Sequence, residues 1–184
     1  LGRIIPAFER IAAHVDESIT EGTEPYEAVA MLSKKKAEEV SEGTPESRRV
    51  GTGTIIIGAD TVVAMGDRIF GKPRDEHDAF QMLSLLQGNT HQVYTGVTII
   101  IKTPVDHFEK TFTECTTIEV APIGDGAIRE YIATGEPIDK AGAYAIQGTF
   151  CKYITRINGD YNNVVGLPVA RLYRELQALF GKMT

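Results

Sequence analysis

The segment that most constrains the fold is TIIIGADTVVAM, residues 54–65, which is apolar almost throughout. A continuous Ile/Val run of this kind predicts a β-strand that is buried on both faces. Its one charged residue is Asp60, and an isolated carboxylate there costs on the order of several kcal/mol unless a cation or a donor meets it. Asp60 therefore faces a cleft, or else it marks the end of the strand or accepts hydrogen bonds from backbone amides.

Length and composition predict one globular domain with a substantial core, or two small lobes that share one. The chain has 184 residues, of which 42% are hydrophobic and 24% are charged, as in ordinary globular proteins. Its formal net charge of -6 argues against an extended surface for a nucleic-acid polymer, because such a surface has to be basic. Small anions remain compatible with this charge, since a few lysines or one metal ion can reverse the field locally.

Two other classes of protein are disfavoured by the sequence. The two cysteines, Cys115 and Cys151, are too few for a disulfide framework and are not spaced as a metal site, so we predict reduced, partly buried thiols. No apolar stretch approaches the roughly 20 residues that cross a bilayer, and the N-terminus lacks the pattern of a signal peptide. We therefore expect a cytoplasmic protein that has no membrane partner.

Hydrophobic periodicity and turn residues predict interleaved strands and helices. Several predicted strands are consecutive, so the pattern favours a mixed α/β sheet over a strict βαβ series. The predicted strands or extended segments are 1–15, 54–65, 68–70, 92–101, 111–120 and 150–157. The predicted helices are 25–42, one between a cap at Asp75 and Gly88, 125–134, and one from Pro168 to about Phe180, with an exposed loop at 43–53.

Three lysines are candidates for binding an anion: Lys36, Lys72 and Lys140. A lysine is a compact charge suited to a phosphate oxygen, and nearby glycines let backbone amides approach the same anion. Each lysine could equally be an ordinary solvated side chain. The sequence contains neither the P-loop spacing nor the G-x-G-x-x-G dinucleotide fingerprint, so those two phosphate-binding folds are disfavoured.

The acidic candidates are Asp16-Glu17, Asp60 and Asp139. Two or three carboxylates, completed by substrate phosphates and water, are the usual way in which proteins hold Mg²⁺. Asp16-Glu17 is also compatible with a solvated turn. Gln147 carries an amide that complements the carbonyl and N–H edge of uracil or thymine, although it could also flip to suit cytosine or bond loop backbone.

Five sequence blocks, in order along the chain, closely resemble the Maf family of nucleoside triphosphate pyrophosphatases. The resemblance extends from about Asp16 to the C-terminal helix. The blocks are GADTVV (58–63), GKP (71–73), TGV (95–97), GEPIDKAGAYAIQG (135–148) and GDYNNVVGLP (159–168).

The resemblance implies a single Maf-like domain over residues 1–184, with an α/β fold like that of inosine triphosphate pyrophosphatases. Its mixed, twisted sheet would form two lobes around a central cleft, often in a homodimer. The implied reaction splits a nucleoside triphosphate between its α and β phosphates, giving the monophosphate and pyrophosphate with Mg²⁺ or Mn²⁺. This activity is that of a nucleoside triphosphate diphosphatase.

The family's functional residues transfer to matching positions of this chain. Asp60 matches the proton acceptor, and Lys36, Lys72 and Lys140 match the lysines near the phosphates. Glu17 matches an acidic position, so that Glu17 and Asp60 are the candidate metal ligands. The candidate substrate-binding residues are Thr61, Asp139 and Gln147.

Thr61 and Gln147 also fall at positions that the family links with the choice of base. Asp-Thr at 60–61 and Ile-Gln-Gly at 146–148 resemble the branch that acts on dTTP and UTP. The branch that acts on 7-methyl-GTP usually shows Ser-Asp-Gln instead. We therefore expect dTTP and UTP as substrates, with modified pyrimidine nucleotides as a broader alternative and a nucleotide-binding regulator without turnover as a rival.

One feature of the family is not matched. Members begin with a strand and a Ser-x-x-Arg-Arg motif whose serine and arginine meet the phosphates. Arg3 and Arg10 do not reproduce that spacing, and the chain starts after the point where the motif is expected. Either an upstream segment carries this motif, which we expect, or this member of the family has lost it.

Overall fold

The computed structural model describes residues 1–2, 5, 7–44, 53–103 and 106–183. The helices among them are α1 (Pro25–Gly43), α2 (Glu76–Leu86), α3 (Asp125–Ile132), α4 (Tyr161–Val165) and α5 (Val169–Met183). The strands are β1 (Thr54–Met65), β2 (Arg68–Phe70), β3 (Thr90–Lys102), β4 (His107–Val120) and β5 (Ile154–Asn158). Two short 3₁₀ helices lie at Ala141–Ala143 and Thr149–Tyr153.

The five strands form one sheet in the order β2-β1-β3-β4-β5. β1 and β2 are antiparallel and pair Val63 with Phe70. β4 and β5 are also antiparallel, with an irregularity in register between Glu119 and Val120. The predicted α/β class, with consecutive strands rather than a βαβ series, is confirmed.

The chain divides into two compact units. Unit 1 comprises Leu1–Asp60, Thr95–Glu114 and Leu167–Thr184, and unit 2 comprises Thr61–Tyr94 and Cys115–Gly166. Strands β1, β3 and β4 each contribute residues to both units.

In unit 1, helix α1 packs with its backbone directly on the sheet. A Cβ atom on Gly58 of β1 would overlap the carbonyl oxygen of Ser33 and lie 2.8 Å from the amide nitrogen of Ala37. A Cβ atom on Gly96 of β3 would overlap the backbone of Val29. Glycine is therefore required at both positions for this close approach of helix and strand.

Unit 1 also has an aliphatic core. Its fully buried side chains come from β3 and α5, including Val97, Ile99 and Leu172. Helix α1 begins with Pro25 at its first turn, where the missing amide hydrogen of proline costs nothing. Its buried face repeats at helical spacing, with Ala28, Val29, Leu32, Ser33, Ala37 and Ser41, as expected for an amphipathic helix.

Unit 2 has a larger core that includes an aromatic cluster. Phe150 lies 5.1 Å from Tyr131, 5.0 Å from Tyr144 and 5.4 Å from Tyr153, measured between ring centroids. These are the tilted and edge arrangements that aromatic rings prefer. Helices α2 and α3 contact each other in this unit and contribute buried side chains such as Leu83.

Most predicted elements agree with the structure to within a few residues. Asp75 caps α2 as predicted, because its carboxylate accepts a hydrogen bond from the amide of Asp78 at 2.7 Å. The hairpin β1–β2 is also confirmed. The exposed loop predicted at 43–53 falls mainly on residues 45–52, which lie outside the described residues.

One predicted strand begins late and one helix was missed. At 1–15, where the pattern predicts a strand or an extended segment, the described residues form no strand. The strand predicted at 150–157 begins only at Ile154, because a 3₁₀ turn precedes it and places Phe150 and Tyr153 together in the aromatic cluster. Helix α4 was missed although its start carries a local signal, since the Asp160 carboxylate accepts a hydrogen bond from the amide of Asn162 at 2.8 Å; its 5 residues are too few to show a helical hydrophobic repeat.

Two predictions about burial were also wrong. The first half of β1 is not buried on both faces, and Ile55 is 41% exposed. Cys115 and Cys151 are free thiols but are exposed rather than partly buried. Among the described residues, no helix combines the length and the apolar character needed to cross a membrane.

Candidate active site

A cluster of three charged side chains in unit 1 forms the centre of the candidate site. The ammonium group of Lys36 lies 2.6 Å from the Oδ1 atom of Asp60 and 2.6 Å from the Oε1 atom of Glu17. The Lys36 side chain is 20% exposed and that of Asp60 is 11% exposed, whereas that of Glu17 is 49% exposed. One ammonium group therefore bridges two carboxylates, one sheltered and one open to solvent.

Close packing of α1 on β1 places Lys36 beside Asp60. Gly58 precedes Asp60 by two residues, so both lie on the same face of β1. That face contacts the α1 backbone at Ser33 and Ala37, which flank Lys36 along the helix. The lysine reaches the carboxylate because no side chain at position 58 separates the helix from the strand.

Burial and hydrogen bonding have opposite effects on Lys36. Desolvation lowers the pKa of its ammonium group, but the hydrogen bonds to Asp60 and Glu17 raise it by more, so the pKa lies above the usual lysine value. Lys36 is thus a permanent cation at neutral pH. Its positive charge offsets the carboxylate of Asp60 that the sequence shows without an obvious partner.

The structure excludes one of the interpretations of Asp60. β1 continues to Met65, so Asp60 does not mark a strand end. Its carboxylate meets a lysine rather than lying unpaired in an apolar strand. The sequence identified both residues but could not show that they are in contact.

Asp16 and Glu17 have different roles. The Asp16 carboxylate accepts hydrogen bonds from the amide and the hydroxyl of Ser18, at 2.9 and 2.8 Å. Asp16 therefore stabilises a local turn at the surface, as in one of the two alternatives considered for this pair. Glu17 instead reaches Lys36.

Unit 2 brings together a second group of candidates. Lys140 binds the neighbouring Asp139 carboxylate at 2.6 Å. The amide of Gly142 donates to the carbonyl of Gly71 at 3.0 Å, which holds the segment after Lys140 against the segment that carries Lys72. The pKa of Asp139 is lowered, first by its hydrogen bond with Lys140 and also by the charge of Lys72.

These groups are open to solvent. Lys72 and Asp139 are exposed and Lys140 is half-buried. The charges of Lys72 and Lys140 both act on the Asp139 carboxylate. An anion that binds here could contact the ammonium groups of Lys72 and Lys140. Lys140 would then have to give up its contact with the Asp139 carboxylate.

Thr61 and Gln147, the candidates for base recognition, both lie in unit 2. Thr61 lies close to Gly166, where a Cβ atom would be 3.6 Å from the Thr61 hydroxyl oxygen. Gly166 has a φ of 112°, a backbone conformation that favours glycine. Gln147 is exposed in the loop between Ala145 and Thr149.

Glu17 and Asp60 are the candidate metal ligands, and their geometry is compatible with a divalent cation. Both carboxylates lie 2.6 Å from the same nitrogen, so they already converge on one positive charge. In the described part of the chain, no three His, Cys, Asp or Glu side chains are grouped for a metal. Two carboxylates suit Mg²⁺, which keeps several waters and takes further oxygens from phosphates.

Two buried polar groups of unit 2 were missed by the sequence analysis. His91 is fully buried and its Nε2 atom lies 2.8 Å from the Tyr144 hydroxyl. Asn163 is also fully buried and donates from Nδ2 to the carbonyl of Val93 at 2.9 Å and to the hydroxyl of Thr116 at 3.0 Å. Asn163 belongs to one of the five sequence blocks, and this burial gives that block a structural role.

Comparison with known proteins places these features in a family. The family model described as Maf-like protein matches residues 1–179. A dTTP/UTP pyrophosphatase of Agathobacter rectalis is 49% identical over 189 aligned residues, which cover 97% of this chain and 90% of the relative.

Two further relatives carry the same name. The dTTP/UTP pyrophosphatase of Lachnoclostridium phytofermentans is 48% identical and covers 88% of this chain and 79% of its own length. That of Clostridium novyi is 42% identical and covers 100% of this chain and 90% of its own length.

Proposed function

The chain belongs to the Maf-like family, and on this basis we propose that it is a nucleoside triphosphate diphosphatase that hydrolyses dTTP and UTP. The products are the nucleoside monophosphate and pyrophosphate. The names of the relatives support this substrate class. The observation that carries the proposal is the contact of Lys36 with both Asp60 and Glu17, at residues that match the family's functional positions.

Asp60 is the proposed proton acceptor of the reaction. Its carboxylate is sheltered but not sealed, with 11% of the side chain exposed, so one water molecule can reach it. The carboxylate takes a proton from this water as the water oxygen bonds to the α-phosphorus. The bond from the α-phosphorus to the bridging oxygen then breaks, and that oxygen leaves with the pyrophosphate.

Lys36 has two proposed roles. It fixes the orientation of the Asp60 carboxylate through their hydrogen bond, which keeps the accepting oxygen in place. It also supplies a positive charge close to the reacting phosphate, where charge builds up in the transition state. Lys72 and Lys140 are proposed to offset the remaining charge of the triphosphate.

Glu17 and Asp60 are proposed to hold a divalent cation, Mg²⁺ or Mn²⁺. When bound, the cation would neutralise phosphate charge and favour the attack of water. Lys36 occupies the point on which both carboxylates converge.

Thr61, Asp139 and Gln147 are the proposed substrate-binding residues. The amide of Gln147 can donate to a carbonyl oxygen and accept from the adjacent N–H of uracil or thymine. This pattern fits the relatives' substrates and extends to pyrimidines modified at other positions. The resemblance further implies a homodimer, which light scattering of the purified protein would test.

The decisive experiment measures pyrophosphate release from a panel of nucleoside triphosphates with Mg²⁺ or Mn²⁺. The panel contains dTTP, UTP, 5-methyluridine and pseudouridine triphosphates, GTP, inosine triphosphate and 7-methyl-GTP. We expect the pyrimidine nucleotides to be hydrolysed fastest. Faster hydrolysis of inosine triphosphate or 7-methyl-GTP would refute the proposed specificity, and absence of pyrophosphate release would refute the proposed activity.

Substitution Asp60→Asn tests the proton acceptor. It keeps the shape of the side chain but removes its basicity, so we expect kcat to fall by about 10²-fold or more. Asp67→Asn, in the exposed turn after β1, makes the same chemical change away from the site and should leave kcat unchanged. Near-normal turnover of Asp60→Asn would exclude both the base and the metal-ligand roles.

A further inference from the structure

The loop that carries Gln147 is held at both ends by a pair of side chains. The amide of Ala145 donates to the hydroxyl oxygen of Tyr131 at 3.1 Å, and that hydroxyl donates to Oε1 of Glu136 at 2.8 Å. The other carboxylate oxygen of Glu136 accepts from the amide of Thr149 at 3.0 Å. Tyr131 and Glu136 therefore join the two ends of the segment 145–149 through one continuous set of hydrogen bonds.

Tyr131 and Glu136 are themselves held in place by contacts at the end of α3. Tyr131 belongs to α3, is 4% exposed, and packs its ring against Phe150. Glu136 follows the end of α3 closely, where its amide donates to the hydroxyl of Thr134 at 3.2 Å. The Thr134 hydroxyl in turn donates to the carbonyl of Tyr131 at 2.6 Å. Since both members are tied to the end of one helix, they hold the loop against a fixed support.

Gly148 shows how closely the loop approaches this pair. A Cβ atom at position 148 would overlap the carboxylate of Glu136. The loop backbone thus passes directly over the carboxylate, next to Gln147 in sequence. A larger residue could be accommodated only by moving the loop or the carboxylate.

The carboxylate of Glu136 keeps its charge in this position. Partial burial raises the pKa of Glu136, but hydrogen bonds from the Thr149 amide and the Tyr131 hydroxyl lower it by more, so that the net shift is downward. Hydrogen bonds to an ionised acceptor are about twice as strong as those between neutral groups. The Tyr131 hydroxyl of α3 and the Thr149 amide of the loop therefore converge on a single ionised acceptor.

Gln147 is exposed and lies between Ala145 and Thr149, the two residues whose amides are held by these hydrogen bonds. An exposed glutamine on an unrestrained loop would lose considerable conformational entropy on binding a base, which weakens recognition. We propose that Tyr131 and Glu136 are positioning residues for base recognition: they hold the loop 145–149 in one conformation and thereby present the Gln147 amide to the pyrimidine. This inference rests on the proposed function and adds two specificity-determining residues to it.

The test separates base recognition from phosphate binding and does not depend on turnover. The probes are α,β-methylene-UTP, whose α–β linkage is not hydrolysed, and inorganic tripolyphosphate, which has no base. Their dissociation constants are measured by calorimetry for the wild type, Tyr131→Phe, Glu136→Ala and Glu136→Gln. Tyr153→Phe is the matched control, because Tyr153 packs on the same Phe150 ring but contributes no hydroxyl to the pair.

We expect Tyr131→Phe and Glu136→Ala to weaken binding of α,β-methylene-UTP by about tenfold, the equivalent of one or two lost hydrogen bonds. Binding of tripolyphosphate should change by less than about twofold, since the base contact is absent from that probe. Glu136→Gln keeps an acceptor for the Thr149 amide and should recover part of the affinity. Tyr153→Phe should match the wild type.

Amide hydrogen exchange provides a second measurement. Exchange of the Ala145 amide should accelerate in Tyr131→Phe and that of the Thr149 amide in Glu136→Ala, by more than any change in melting temperature explains, because each amide loses its acceptor. An equal weakening of both probes, or unchanged exchange with unchanged affinity, would overturn the inference alone. A wild type that binds α,β-methylene-UTP no more tightly than tripolyphosphate would refute the proposed base recognition, and the inference with it.

Discussion

Substitution Gly58→Ala should disrupt the contact that assembles the charged cluster of Glu17, Lys36 and Asp60. The added methyl group would lie 2.8 Å from the backbone nitrogen of Ala37 and 2.9 Å from its Cβ atom, where ordinary contacts are 3.4–4 Å. These are backbone and Cβ atoms, which cannot rotate away as the end of a long side chain can. Helix α1 would have to retreat from β1 by roughly 1 Å to restore a normal contact distance.

The loss of folding stability caused by Gly58→Ala can be estimated from the size of the added group. Inserting a methylene-sized group into a well-packed interior usually costs about 1–3 kcal/mol, and we expect the upper part of this range because the clash is with backbone. The same retreat of about 1 Å would lengthen the Lys36–Asp60 contact, now 2.6 Å, beyond hydrogen-bonding distance unless the lysine stem re-extends. Stability should therefore fall in every assay, and pyrophosphate release should fall with it.

The assay is equilibrium urea unfolding, with Gly126→Ala as the control. Gly126 lies in the first turn of α3, and a Cβ atom there would meet nothing within 4 Å. Because alanine is the better helix former, this control should be neutral or up to about 1 kcal/mol more stable. If Gly58→Ala stayed within about 0.5 kcal/mol of the wild type, the close packing of α1 on β1 would not determine the stability of unit 1.

Three other predictions concern buried or sheltered polar groups. Burial lowers the pKa of His91 to about 4, so the neutral form of its ring is favoured in the folded state. Between pH 6.5 and 4 the unfolded chain therefore binds more protons than the folded chain. The free energy of unfolding should fall by about 3 kcal/mol as the pH is lowered through this window. An NMR titration midpoint of His91 above pH 6 would contradict this. Lys36→Met removes the ammonium group that contacts the Asp60 carboxylate and should cost about 1–3 kcal/mol. Adding Asp60→Asn should restore part of the stability in urea unfolding but not pyrophosphate release, and a double variant no more stable than the single one would be inconsistent with the pairing. Asn163→Ala deprives the carbonyl of Val93 of its buried donor and should cost about 2 kcal/mol, and an unchanged melting temperature would exclude that role.

The sequence predicted much of the secondary structure because the signals for it are local. The apolar run of β1, the proline at the start of α1 and the Asp75 cap of α2 act within a few residues, and the elements formed where these signals occur. The 3₁₀ turn at Thr149–Tyr153 was missed because its cause is not local. It depends on rings contributed by α3 and by residue 144, which no window of sequence around 150 contains.

The candidate site was predicted in its parts but not in its connections. Asp60 was recognised from the conflict between a carboxylate and an apolar strand, and the roles of Lys36, Lys72, Lys140 and Gln147 came from the family resemblance. Nothing in the spacing of residues 17, 36 and 60 indicates that they meet. The buried His91 carried no signal at all, since a histidine in a strand is compatible with either face.

By itself, the sequence determined the α/β class, the positions of most elements and the candidates for the chemistry, because propensity, capping and residue type act locally or are chemical properties of single side chains. Only the tertiary structure decided which of these residues are partners. Lys36 meets Asp60 because two glycines let a helix backbone rest on the sheet, and Gln147 is held because Tyr131 and Glu136 reach both ends of its loop. Each of these depends on contacts between chain segments far apart in sequence.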